Sequence, residues 1–123
     1  MSKKMIVSYL KISVPLERQQ RIMDTLQYVK SGIQVQSRFN KYDAYKNLNN
    51  SDELIIIGKW KSREDLFKHI QSKDYKAILA VMEMSCELPE IRFNSVSSMG
   101  GLDFINEIRG NKKTRMKPCV NNK

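Results

Sequence analysis

The chain has 123 residues, 41% of them hydrophobic and 28% charged, with a formal net charge of +9. That length fits one domain with a real core, small enough for a subunit interface to add to its stability, and the composition is that of an ordinary soluble globular protein. No run of 18 apolar residues is present, which excludes a membrane-spanning helix of the usual kind.

The positive charge is not spread evenly. Lys112, Lys113, Arg115, Lys117 and Lys123 lie in a segment without acids, and Lys3 and Lys4 add two more, leaving +2 for residues 5–109. We expect residues 1–109 to form the folded domain. Residues 110–123 are expected to form a solvated, disordered basic tail rather than a nucleic-acid arm, because the segment is too polar to pack. The start, MSKKMIVSYLKISV, resembles a signal peptide, but its apolar run stops at Lys11 and no small-residue cleavage site follows, so the expected location is the cytoplasm. Cys86 and Cys119 are far apart and form no C-x-x-C pair. Cys86, among apolar residues, is expected in the core, and Cys119 as an exposed thiol.

Along the chain, Ile6, Leu10, Ile12 and Val14 alternate with Met5, Val7, Tyr9 and Lys11, a strand by period that Pro15 ends. Ile22, Met23, Leu26 and Val29 then follow helical spacing, and Gly32 stands where a C-terminal cap belongs. Ile33, Val35, Ser37 and Phe39 alternate again, with a phase change near Asn40 that suggests a bulge before Tyr42, Ala44 and Lys46. A polar turn over residues 47–52 leads to the apolar run Leu54-Ile55-Ile56-Ile57, so the two strands read as a hairpin. Ser62 caps a helix with Glu64 and Asp65 in its first turn, Asp65 at the capping-box position. A second helix follows a break at Ser72 and Lys73. Its apolar residues Tyr75, Ile78, Leu79, Met82 and Cys86, with Ala77, Ala80 and Val81, predict deep burial as far as Pro89. Ile91, Phe93, Ser95 and Ser97 make a fourth strand. Gly100 and Gly101 break it, and Leu102, Ile105 and Ile108 mark a short last helix.

The order β-α-β-β-α-α-β-α predicts an α+β, ferredoxin-like fold, an antiparallel four-stranded sheet with helices on one face. Ile55 and Ile57 need cover as much as Leu54 and Ile56 do, yet helices cover only one face. A second copy of the same sheet is the simplest cover, so we expect a homodimer packed through sheet faces. A monomer with its C-terminal segment folded over the open face is the other possibility.

The only tryptophan and the only histidine lie within one stretch, GKWKSREDLFKHIQSKDY, from Gly58 to Tyr75. Leu54, Ile56, Gly58 and Trp60 share one side of a strand, and Gly58 leaves space beside Trp60. The following helix brings His69 over the same region, with Tyr75 on the next helix and Tyr9 on the first strand. Such a cavity suits a planar aromatic ligand. A plain structural role is open for each: Trp60 as core anchor, His69 as a surface or satisfied group, Tyr75 as core. One histidine with Asp65 four residues before it makes no metal site, and neither a Ser-His-Asp set nor a phosphate loop is present.

Trp60, Ser62, Glu64, Leu66, His69, Ser72 and Tyr75 resemble the W-x-S-x-E-x-L-x-x-H-x-x-S signature of the antibiotic biosynthesis monooxygenase family. The resemblance spans roughly residues 5–98, and the segment PEIRFNSVSSMGGLDFINEIR looks like a subgroup with an added C-terminal helix. It implies a dimeric α+β barrel and, by relation to oxygenases of quinols and anthrones, catalysis without metal or flavin. Under it, His69 and Trp60 are the catalytic residues, His69 accepting a proton and Trp60 lining the pocket, while Tyr75, as a hydrogen-bond donor, Tyr9 and Gly58 bind the substrate. The chain departs from the family pattern at Asp74, where many members have a second histidine. Ser8 stands where the heme-degrading branch uses asparagine, and residues 76–86 contain no histidine, which disfavours heme chemistry. Three functions follow: a cofactor-free monooxygenase, a non-catalytic ligand-binding or regulatory dimer using the same cavity, and, least favoured, a nucleic-acid or acidic-partner binder acting through the tail.

Overall fold

The computed structural model describes residues 4–110 and 115–119. The elements follow the expected order: β1 (Lys4–Ser13), α1 (Leu16–Gln36), β2 (Lys41–Asn47), β3 (Asn50–Trp60), α2 (Arg63–Gln71), α3 (Tyr75–Glu83), β4 (Glu90–Ser97) and α4 (Leu102–Ile108). The strands form one sheet in the order β2-β3-β1-β4, with β3 antiparallel to both β1 and β2. This is the α+β, ferredoxin-like architecture the sequence predicts. Lys4–Val96 form one compact unit, and the segment from Ser97 belongs to a second.

In the first unit, period 2 decides what is buried. Ile6, Leu10, Ile12, Leu54, Ile56 and Trp60 stand on one face and form a single core with Ile22, Leu26, Val29 and Ile33 of α1, Leu66 of α2, and Ile78 and Val81 of α3. No residue of β1, β2 or β3 on the opposite face is buried: Val7, Tyr9, Ile55 and Ile57 are half-buried, while Met5 and Tyr45 are exposed. Gln19, buried in α1, donates from Nε2 to the carbonyls of Val14 (2.8 Å) and Ser51 (2.7 Å), pinning the helix to both strand ends. Lys30 and Asp43, 2.7 Å apart, tie α1 to β2.

Four expectations are corrected. First, α1 does not stop at Gly32. Ile22, Leu26, Val29 and Ile33 keep a helical period and are all buried, whereas Val35 and Phe39, taken for strand residues, are exposed, so residues 33–36 continue the helix. Gly32 serves packing instead, since a Cβ there would come within 2.9 Å of Asp74 Oδ2. Second, the irregularity lies between Lys46 and Asn47 rather than near Asn40, and the turn is the pair Leu48–Asn49. Third, α3 ends at Glu83 and buries only Ile78 and Val81 fully, with Leu79 exposed. Fourth, Cys86 is exposed. Its backbone N–H donates to Ser13 O (2.8 Å), which places it on the surface segment joining α3 to the end of β1.

The Ser62 cap forms as expected, accepting from Asp65 N at 3.2 Å. Asp65 accepts from the Asn40 amide (3.2 Å), whose Oδ1 in turn accepts from Lys61 N (2.9 Å). Asn40 therefore fixes the start of α2 against the start of β2. In the second unit, α4 follows Gly100, whose φ of 136° is open to glycine, and Leu102, Ile105 and Ile108 are exposed. Arg115 to Cys119 are irregular and exposed; the rest of the expected basic tail beyond Gly110 lies outside the described residues, as does Lys3.

Candidate active site

Strand register sets the floor of the site. Ser8 of β1 and Tyr42 of β2 both pair with Gly58 of β3, which makes a row of three across the sheet. Trp60, two residues on, shares that face and lies back over the row, its Nε1 donating to Ser8 Oγ at 3.2 Å. A Cβ on Gly58 would come within 2.9 Å of Nε1 and 3.0 Å of Cζ2 and would collide with the Ser8 hydroxyl. The glycine thus admits the indole rather than a ligand. The space directly beside Gly58 is taken by the indole and the Ser8 hydroxyl.

Ser62 starts α2 so that His69 lands on the indole. The rings stack at 4.7 Å with 27° between planes, and His69 is 4% exposed. The Tyr42 ring meets the imidazole edge-on at 5.5 Å, and Tyr75 does so at 5.1 Å from the start of α3. The break between the helices is held by Ser72, whose hydroxyl donates to His69 O (2.6 Å) and whose carbonyl accepts from Tyr75 N (3.2 Å). Three aromatic rings from three elements, Tyr42 of β2, Trp60 of β3 and Tyr75 of α3, thus close around one imidazole.

Ser8, Tyr42, His69 and Tyr75 share a cavity of about 20 Å³ with Ile78 and Met82 of α3 and Ile91 and Phe93 of β4, although Met82 and the β4 residues are only partly buried. That volume suits one water or one substrate oxygen. No fully buried side-chain nitrogen or oxygen among the described residues lacks a partner. Tyr42 is 5% exposed and His69 4%, and both border the cavity. Burial pulls the His69 pKa down to about 4, partly opposed by the Asp74 carboxylate. Burial pushes the Tyr42 phenol up, with Tyr75 adding to the effect, and burial also raises Tyr75. At neutral pH the site holds a neutral imidazole able to accept a proton and two neutral phenols able to donate hydrogen bonds.

Of the residues singled out in the sequence, Trp60, His69 and Tyr75 come together. Trp60 is 1% exposed and lies behind the imidazole rather than lining the cavity. Tyr9 borders the cavity from β1, but the alternation of the strand puts its ring on the other face, with the Arg92 guanidinium 4.5 Å from its centroid. Tyr42 and the hydroxyl of Ser8 are the members that sequence reasoning missed. Their common signal was Gly58, opposite which both stand. Among the described residues, no three His, Cys, Asp or Glu side chains gather as a metal site.

The sequence model of the antibiotic biosynthesis monooxygenase family matches residues 5–81, from the second residue of β1 through α2 to most of α3. The chain belongs to that family. Solved structures agree on the fold. A conserved protein from Methanosarcina mazei Go1 is 23% identical with a TM-score of 0.65, over 75% of this chain and 92% of that one. A candidate family monooxygenase from Nitrosomonas europaea is 14% identical with a TM-score of 0.66, over 82% and 97%. Another from Caulobacter crescentus CB15 is 12% identical with a TM-score of 0.66, over 76% and 91%. No curated protein matches the chain. Within the family, this chain supplies one histidine to the site, with Asp74 acting on it electrostatically from the start of α3.

Proposed function

We propose that this family member is a cofactor-independent monooxygenase acting on a quinol-like or polycyclic aromatic substrate, working as a homodimer. The observation that carries this reading is the convergence of a neutral imidazole, two phenols and a serine hydroxyl on one small cavity. His69 takes a proton from the substrate. The oxygen of the resulting anion accepts hydrogen bonds from Tyr42 and Tyr75, and the dry, aromatic surroundings strengthen them. For an anthrone-type CH₂, the electron-rich anion passes an electron to dioxygen and recombines with it. One oxygen atom stays on the carbon as the new carbonyl, and the other leaves as water with the two hydrogens. The electrons come from the substrate, so the chemistry asks for no metal or flavin. Trp60 acts as a positioning residue, holding the imidazole plane. The open sheet face, carrying Val7, Tyr9, Ile55 and Ile57, is the surface we assign to the second copy.

An imidazole titrating near 4 is unprotonated at neutral pH but takes a proton weakly. That weakness favours the second reading, a non-catalytic ligand-binding or regulatory dimer. An oxygen electrode separates the two. With anthrone or 1,4-dihydroxynaphthalene and a chelator present, we expect oxygen uptake above the uncatalysed rate, one dioxygen per anthraquinone formed, and a loss of about 100-fold or more in His69→Ala. Saturable binding without oxygen uptake would establish the second reading, and full turnover by His69→Ala would remove the histidine from the site.

A further inference from the structure

Beside the His69 cavity lies a second one of about 160 Å³, bordered by Ile6, Leu66, Phe67 and Phe93, by Asn94 and Ser95, and by Arg63. The two follow one another along β1, Ile6 bordering the larger and Ser8 and Leu10 the smaller. They also follow one another along α2, with Leu66 and Phe67 on the larger and His69 on the smaller. Phe93 belongs to both. It stands on the edge strand β4 and is 45% exposed, so its ring has a solvent side into which it can turn on the timescale of surface rotamers. Arg63 opens α2, is exposed, and has no acidic partner among the described residues.

We propose that the two cavities are one trough divided by Phe93, and that its ligand is a hydroxylated aromatic acid. The phenolic oxygen enters the small cavity at His69, Tyr42 and Tyr75, the ring body lies against Phe93 and Leu66, and the carboxylate meets Arg63. Three observations set this class. The inner cavity admits one oxygen atom but no ring, so the ligand enters hydroxyl first. The outer cavity has the apolar side chains of Ile6, Leu66, Phe67 and Phe93 against one part of its wall, Asn94 and Ser95 against another, and the volume for a ring body. Six residues separate Arg63 from His69 on α2, a rise of about 9 Å, comparable with the span from hydroxyl to carboxylate across a fused two-ring acid. The proposal rests on His69 marking the binding site and is independent of whether oxygen chemistry occurs there.

Calorimetric titration of the full chain with 6-hydroxy-2-naphthoic acid, 2-naphthol and 2-naphthoic acid tests it. The hydroxy acid should bind about fivefold more tightly than 2-naphthol, as an ion pair open to solvent allows, and should also exceed 2-naphthoic acid, which lacks the hydroxyl. Arg63→Gln should erase the preference over 2-naphthol, and Tyr42→Phe the preference over 2-naphthoic acid. Phe93→Trp, with a larger ring across the passage, should weaken the hydroxy acid tenfold or more while circular dichroism and melting stay as in the parent. Equal binding of hydroxy acid and naphthol, a preference that survives Arg63→Gln, or no binding of any of the three overturns the proposal. Oxygen uptake with anthrone alongside any of those results leaves the monooxygenase reading standing alone. Arg63-dependent binding without oxygen uptake does the reverse.

Discussion

At His69, burial and a neighbouring carboxylate pull in opposite directions, and burial wins, with a pKa near 4. The unfolded chain binds a proton there below about 6.5 while the folded chain resists it down to about 4, so the unfolded state holds more protons in that window and stability rises with pH across it. The contribution is complete above pH 6.5 and is lost as pH falls. Between pH 7 and pH 5, urea unfolding should register a loss on the order of 2 kcal/mol, and His69→Gln should flatten that part of the profile. Were the slope unchanged in His69→Gln, the group responsible would lie elsewhere. The same neutrality bears on function: kcat/KM should be level from about pH 5.5 upward and fall only towards pH 4, because it reports the free protein's proton acceptor.

The elements that hold the site do so through side-chain to backbone bonds at their ends. The start of α2 has two such supports, Ser62 accepting from Asp65 N and the buried Asn40 accepting from Lys61 N while donating to Asp65. Ser62 is open enough for water to replace its hydroxyl, so Ser62→Ala should cost about 1 kcal/mol. Asn40 is 2% exposed, and its removal strands groups from which water is excluded, so Asn40→Ala should cost more, about 2–3 kcal/mol. Parallel urea titrations check the order, and equal costs would mean that water reaches the Asn40 site. The β2–β3 hairpin shows why Tyr42 escaped sequence reasoning. Pairing counted from Asn47 and Asn50 at the turn would set Tyr42 opposite Ile55, on the open face; the shift between Lys46 and Asn47 sets it opposite Gly58, on the helix face. A change of register by an odd number of residues exchanges the two faces, and nothing local in the sequence marks where it occurs.

For the whole molecule, the sheet carries helices on one face and half-buried Val7, Tyr9, Ile55 and Ile57 on the other. Water against that many apolar side chains is costly, and a second sheet face is the cover proposed above. Sedimentation should give twice the 14.4 kDa chain mass at micromolar concentration. Ile57→Asp, which sets a carboxylate in the middle of that face, should give a folded monomer. A parent chain that sediments as a monomer would leave the face to another partner.

Element order, the cap at Ser62, the family signature from Trp60 to Tyr75, and the two-sided character of Leu54–Ile57 were all legible in the sequence, because each depends on period or on neighbours within a few positions. The alternation also misled where it was short. Ile33 read as strand until the buried row Ile22, Leu26, Val29 and Ile33 claimed it for α1. Tertiary structure alone decided what fills the space over Gly58 and which residues join His69. Those facts depend on strand register and on the path of chain between strands, which bring Ser8, Tyr42 and Gly58 into one row although they lie up to 50 positions apart in the chain. The glycine that looked like an opening is the place where the indole closes the core.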